Sequence, residues 1–396
     1  MIEDIEIFHN KTEYVMRGQA SGAHLFSSPD AGLVIQRAID SFNGEGGEVL
    51  LHRGIYELNA PIQLDSRCVL RGKGVATCLK LTPANEQGIG ILCEDKDYAS
   101  VCNLSLRPAA RGTGVAGIVL HSSGCCQIRE VRCKGFASYG IWMRENSFLC
   151  EISRCQLADN QKSNLFMQNL RDGGRGGDFL PGLVSGLTIY GGGNGIECEH
   201  ALVLNITSCL ILHPGKIGIH IHSESNSVLV SGCRTLQVEM DCVVVQDSHE
   251  INLSSNIFCW HRDHGIILDN VKWGTVSANN IIDTGVRAHD KTLRNGIILR
   301  NGTSSVQVTG NALFNWGDQM PMQTGIDEDA SCRVNLMANN NVNYYTEQDV
   351  ISRGAQSLAQ GNVGIGPEAW LGMDRDPYPD FSLDGLNTFL ENNFER

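Results

Sequence analysis

A short motif returns along most of this chain: a small residue, an aliphatic, a variable residue and a second aliphatic. It reads Gly90-Ile91-Leu92-Cys93, Gly117-Ile118-Val119-Leu120, Gly140-Ile141-Trp142-Met143, Asn164-Leu165-Phe166-Met167, Gly195-Ile196-Glu197-Cys198 and Gly218-Ile219-His220-Ile221. It goes on through Asp241-Cys242-Val243-Val244, Gly265-Ile266-Ile267-Leu268, Gly296-Ile297-Ile298-Leu299, Gly325-Ile326-Asp327-Glu328 and Asp349-Val350-Ile351-Ser352. Successive starts lie 23 to 31 residues apart, and a second alternating piece follows each about ten residues on, as at 101–106, 202–207 and 306–311.

Runs this short have the two-residue period of strands, and no helical period intervenes between them. Two or three strands in ~23 residues fit one coil of a β-helix, with coils stacked ~4.8 Å apart. A leucine-rich repeat would carry Leu and Asn at fixed offsets, and a propeller blade would need ~40 residues. Because a solenoid grows lengthwise, all 396 residues can share one core. The 44 Gly against 10 Pro suit a chain that turns every few residues.

The opening of the chain adds a second signal. Ser28-Pro29-Asp30 precedes apolar residues at 31, 34, 35, 38, 39 and 42, a helical stripe behind a Ser cap and an N-terminal Pro. Gly46-Gly47-Glu48-Val49-Leu50-Leu51, Gly54-Ile55-Tyr56 and Val69-Leu70-Arg71-Gly72-Lys73-Gly74 follow. This order resembles the start of the pectate-lyase-like superfamily, with its polygalacturonase-type and phage-depolymerase branches. The specific match covers residues 28–75, and the coil periodicity extends it to about 365. The expected fold is therefore all-β, a right-handed parallel β-helix of about a dozen coils. Residues 1–45 would supply N-terminal strands and a capping helix, 46–365 the β-helix, and 366–396 a C-terminal cap with a helix near 383–392.

In the repeat the aliphatics point inward, so the variable residues share an outward face. Down the chain that face reads Leu92 and Glu94, Val119 and His121, Trp142 and Arg144, Phe166 and Gln168, Glu197 and Glu199, His220 and His222. It continues with Val243 and Val245, Ile267 and Asp269, Ile298 and Arg300, and Asp327 and Asp329. The resemblance implies that this sheet floors a sugar-binding groove. Glu197, Glu199, His220 and His222 would crowd a patch of ~5 by ~7 Å, where carboxylates and imidazoles push one another's pKa values apart. The expected catalytic set is Glu197, Glu199, Asp269 and His220. Trp142, Arg144, Gln168, His222, Arg171, Arg175, His264 and Arg300 would contact substrate. Arg171 and Arg175 belong to a Gly-rich insertion, and His264 to the cluster Trp260-His261-Arg262-Asp263-His264. The plain alternative is a solvated polar face. No cofactor is expected, although His220, His222 and Glu199 have the donor types of a divalent metal site.

The ordered motifs of the polygalacturonase branch (N-T-D, D-D, G-H-G, R-I-K) are missing, with Asp263-His264-Gly265 a partial echo, so no catalytic set carries over. The leading expectation is an enzyme that cleaves or rearranges glycosidic bonds, a glycoside hydrolase or intramolecular glycosyltransferase, by carboxylate acid/base chemistry. A polysaccharide lyase or uronate epimerase is the second reading, with Arg144 against the uronate, and a non-enzymatic carbohydrate-binding or structural β-helix the third. Oligosaccharide is the expected partner, and side-by-side homotrimers are common for such solenoids. The net charge of -13 argues against nucleic acid. No apolar run reaches the ~18 residues of a membrane span. The start MIEDIEIFHNKTEYVM lacks signal-peptide features, and 15 scattered Cys at buried-strand positions read as free thiols, which together suggest a cytoplasmic protein.

Overall fold

The computed structural model describes residues 3–170, 182–285, 294–315, 322–343 and 345–366. Three strands per coil build three parallel ladders. The first runs from Ile62–Gln63 and Ile89–Glu94 to Tyr345–Ile351, the second from Gly47–Leu51 to Leu358–Gln360, and the third from Gly54–Leu58 to Val363–Ile365. The third ladder counts 13 strands, in line with a coil count of about a dozen. In one coil the corner between the first two ladders is bridged by a single 14-residue strand, Asn194–Thr207, which pairs in both.

The parallel register stacks like on like. Ile91, Ile118, Ile141, Leu165, Ile196, Ile219, Val243, Ile266, Ile297 and Ile326 form one inward column. Every member is fully buried, the hydrophobic contribution being ~1.5–3 kcal/mol for each such side chain. The small residue before each is needed by the turn: a Cβ on Gly218 would meet the Cys242 carbonyl at 2.5 Å, and one on Gly265 the Gly296 carbonyl at 2.5 Å. At the last full repeat the second aliphatic is replaced by Glu328, buried yet accepting from Asn335 Nδ2, Ser357 Oγ, Ser352 Oγ and the Gly354 N–H.

Two details differ from the sequence reading. Ile219 pairs with Val243 and His220 with Val244, so the outward residues of that coil begin at Val244, and Val243 and Val245 are buried. Within Val243-Val244-Val245 apolarity cannot mark a side, and a one-residue shift turns every side chain over. Second, the cap of helix α1 (Ala31–Asp40) is Asp30, whose Oδ1 accepts from the Leu33 N–H; Ser28 ends a strand. The helix buries the expected stripe, Ala31, Val34, Ile35, Ala38, Ile39 and Phe42, over the first coil. Three N-terminal strands, Ile5–His9, Tyr14–Gly18 and His24–Ser28, form an antiparallel sheet whose first strand continues into the second ladder beside Gly47–Leu51. Asn205 faces outward between Leu183 and Leu229. The expected C-terminal helix lies outside the described residues.

An interior stack does exist. Asn256, Asn279, Asn311, Asn340 and Asn362 occupy one position after successive second-ladder strands. Each Nδ2 donates to the next Asn Oδ1 at 2.9–3.0 Å and to a strand carbonyl of the preceding coil. Each Oδ1 from Asn279 onward also accepts the preceding Asn N–H at 3.0 Å. The inner amides are thus saturated, with two bonds given and two accepted. In earlier coils cysteines such as Cys155, Cys209 and Cys233 hold the same place.

Two outcomes are expected. Asn279→Ala leaves buried partners unsatisfied and should cost about 1–3 kcal/mol in urea unfolding, whereas Asn205→Ala should stay within about 0.5 kcal/mol. Thirteen of the 15 cysteines are buried, so in native protein most thiols should react with a thiol reagent only after denaturant is added. Mass spectrometry finding native disulfides would contradict this.

Candidate functional site

The outward face of the first ladder gathers most of the sequence-selected residues. Glu197 pairs in register with His220, and Glu199 with His222, on adjacent strands. All four are partly buried. Ser163 Oγ and Asn194 Nδ2 both donate to Glu197 Oε2, the latter at 3.0 Å, while His222 Nε2 lies 3.4 Å from Glu197 Oε1. Glu199 Oε2 accepts from Gln168 Nε2 at 3.2 Å. The His220 and His222 rings stack with centroids 4.2 Å apart, and His222 Nδ1 meets Ser223 Oγ at 2.8 Å. Burial opposes ionisation of Glu197, but the bonds from His222, Ser163 and Asn194 outweigh it and bring its carboxyl down to about 2. Burial, reinforced by His222 and opposed by Glu197, lowers His220 to about 4.

On one side, Trp142 and Phe166 continue the same row, since Trp142 pairs with Phe166 and Phe166 with Glu197. Tyr139 stacks on Phe166 at 4.8 Å and tilts against Trp142 at 5.0 Å, making an aromatic shelf. The Arg144 guanidinium lies over the Trp142 ring at 4.5 Å, so the face expected to meet a sugar carries a cation. Burial together with Glu197 and Glu199 raises the Tyr139 phenol above its ordinary value.

On the other side the His220 row passes through Val244, Ile267 and Ile298 to Asp327, while Asp269 lies in the neighbouring row between Gln246 and Arg300. Asp269 is committed there: Oδ2 accepts from Arg300 Nε at 2.8 Å and Oδ1 from Asn301 Nδ2 at 2.7 Å. Asp269 and Arg300 thus meet each other, two coils from His220, and do not join the central four. Arg171 and Arg175 lie outside the described residues.

A second row runs along the edge of this face through Tyr139, Ser163, Asn194, Ile217, Asp241, His264 and Asn295, polar except at Ile217, and of it sequence reasoning had named only His264 as a contact. Each stands two residues before a member of the inward column, which is the signal that could have found it. His264 donates its N–H to Asp241 Oδ1 at 2.8 Å and accepts the Asn295 N–H on Nδ1 at 3.0 Å. From the same cluster His261 is fully buried, with Nε2 2.9 Å from Thr284 Oγ1, and is a structural histidine.

Comparison with known proteins matches this architecture. A family model described as right handed beta helix region covers residues 182–343. The A-module of the mannuronan C-5 epimerase AlgE6 of Azotobacter vinelandii superposes with a TM-score of 0.72 at 15% identity, covering 85% of this chain and 95% of that one. The chain folds as a right-handed parallel β-helix. The A-module of AlgE4 from the same organism gives 0.64 at 15% identity, over 84% and 95% of the two chains. The tailspike protein of E. coli bacteriophage HK620, solved in complex with a pentasaccharide, gives 0.62 at 10% identity, over 86% and 78%. No curated protein matches the sequence.

The edge row makes a pH prediction. Burial and His264 push His261 down to about 3, and burial with Arg294 and Arg300 pushes His264 down to about 4 against the pull of Asp263. Both folded values lie below the ~6.5 of an unfolded imidazole. Their stabilisation is therefore full above pH 6.5 and shrinks as pH falls toward 3. Asp241 acts in the opposite sense: burial and Asp263 raise it to about 6 despite His264, Arg300 and Arg294, so acid relieves its penalty. Each imidazole can contribute up to about 1.4 kcal/mol per pH unit. His261→Gln should flatten the fall in unfolding free energy between pH 6.5 and 4, and Asp241→Asn should steepen it. Equal slopes in urea titrations of the three proteins would refute the assignment.

Proposed function

We propose that this chain is a carbohydrate-active enzyme that cleaves or rearranges glycosidic bonds of an oligosaccharide lying along the outward face of the first ladder. One observation carries the reading: two partly buried carboxylates of different freedom, Glu197 and Glu199, stand at the end of an aromatic shelf on the outward face of the first ladder. Glu197 accepts from Ser163 and Asn194 and has His222 Nε2 3.4 Å away, whereas Glu199 takes a single contact from Gln168. In this reading Glu199 moves the proton at the glycosidic oxygen, and Glu197 supplies fixed negative charge beside an oxocarbenium-like transition state. Tyr139, Trp142 and Phe166 offer apolar surface for a sugar ring. Asp269, with both oxygens engaged, neutralises Arg300 at the far end and has no part in the chemistry.

The charges favour a neutral substrate over a uronate. Among the described residues Glu197 and Glu199 pair with no Lys or Arg, while Arg144 lies over Trp142, Lys162 over Tyr139, and Arg300 and Arg353 are paired with Asp269 and Asp327. That balance supports hydrolysis or transfer over elimination or epimerisation. The likeness to epimerases and to a tailspike complexed with pentasaccharide supports a saccharide ligand and leaves the reaction to experiment. Pure protein incubated with a panel of neutral and uronate oligosaccharides should release reducing ends or form anhydro products from a neutral member. Glu199→Gln should lower turnover at least ~100-fold with the urea midpoint little changed. Unsaturated or epimerised uronates as the products would overturn this reading.

A further inference from the structure

We propose that Glu197, His220 and His222 form a binding site for one divalent transition-metal ion of the zinc class. One ligand atom from each lies within 4.8 Å of those of the other two, and among the described residues no other group of three or more His, Cys, Asp or Glu meets that condition. The sequence alone suggested Glu199 as the carboxylate. Register does put Glu199 beside His222, but Glu199 is drawn to Gln168, and the oxygen that approaches His222 Nε2 is Oε1 of Glu197.

The surroundings are those of a held ligand set. Metal-binding carboxylates and imidazoles are commonly fixed by outer hydrogen bonds that aim the free lone pair. Here Ser163 and Asn194 take Oε2 of Glu197 and leave Oε1 toward the histidines. Ser223 Oγ meets Nδ1 of His222 and leaves Nε2 toward Glu197. No hydrogen bond engages His220 among the described residues; its ring simply stacks on His222. Two histidines at i and i+2 on one strand, with a carboxylate from the next, approach from one side only. Among the described residues no fourth His, Cys, Asp or Glu joins them, and three protein ligands plus an open position is the arrangement of reactive rather than structural zinc sites. Two nitrogens and one oxygen suit zinc, cobalt or nickel; calcium and magnesium prefer all-oxygen shells.

Binding itself needs only these three side chains. That the ion would polarise a sugar hydroxyl or a water in the groove rests on the carbohydrate reading above. The test uses full-length protein, reduced, stripped with chelator and dialysed, then titrated with Zn²⁺ by calorimetry and with Co²⁺ by visible absorption. The expected result is one equivalent per chain at micromolar or lower Kd, with a cobalt band of low coordination number. His220→Ala and His222→Ala should each weaken binding at least ~10-fold, as should Ser163→Ala through the outer bond. Glu199→Gln should bind as wild type. Absence of a saturable equivalent in the wild-type protein would overturn the proposal, and that result depends on no variant folding. An equivalent retained by both histidine variants would assign the ion elsewhere, among the thiols, and overturn it too. Stoichiometric binding in a protein inert to every saccharide would leave the metal site standing and sink the carbohydrate reading. Chelator-resistant turnover without metal binding would do the reverse.

Discussion

Register between neighbouring coils is the constraint on which everything else hangs. Parallel strands hold one phase, and each coil repeats the last, so a single registration decides both the core and the groove. Ile196 and Cys198 face inward because Glu197 and Glu199 face outward. A slip by one residue would bury two carboxylates and expose two apolar side chains. The isoleucine column is therefore also what aligns Phe166, Glu197 and His220 on the groove floor.

The same constraint explains what could be read without coordinates. Inward positions have to be apolar, so the Gly-Ile-x-aliphatic pattern exposed the coil count, the outward row and the adjacency of Glu197 with His220. Where the pattern lost contrast the reading slipped, as at Val243-Val244-Val245. The edge positions Tyr139, Ser163, Asn194 and Asn295 stayed hidden because the repeat was taken to start at the residue that follows each of them. Nor does register dictate where a long side chain ends: Glu199 stands opposite His222, yet Glu197 is the carboxylate nearer its ring nitrogen. Such choices depend on rotamers and donors from other coils, which carry no periodic signature.

Electrostatics divide the groove into unlike parts. At one end an aromatic cluster carries one guanidinium; at the centre carboxylates meet imidazoles and neutral amides; at the far end Asp269 with Arg300 and Asp327 with Arg353 cancel in pairs. In the His220 row, apolar Val244, Ile267 and Ile298 separate the centre from Asp327 at the far end. The charge needed to hold Glu197 as an acceptor comes from short polar groups on its own and adjoining strands.

The asparagine spine carries a consequence for how such a molecule can change length. From Asn279 to Asn340 every link presents the same donors forward and the same acceptor behind, so coils there are interchangeable units. Losing or duplicating one would rejoin identical hydrogen-bonding ends. The seam at Cys233 is different: its N–H caps Asn256 Oδ1 at 2.9 Å, but a thiol has no amide to extend the chain of bonds. Coils on the cysteine side fit one another by shape and those on the asparagine side by polarity. Growth by duplication is thereby steered to the C-terminal half, away from the strands that bear Glu197 and His220.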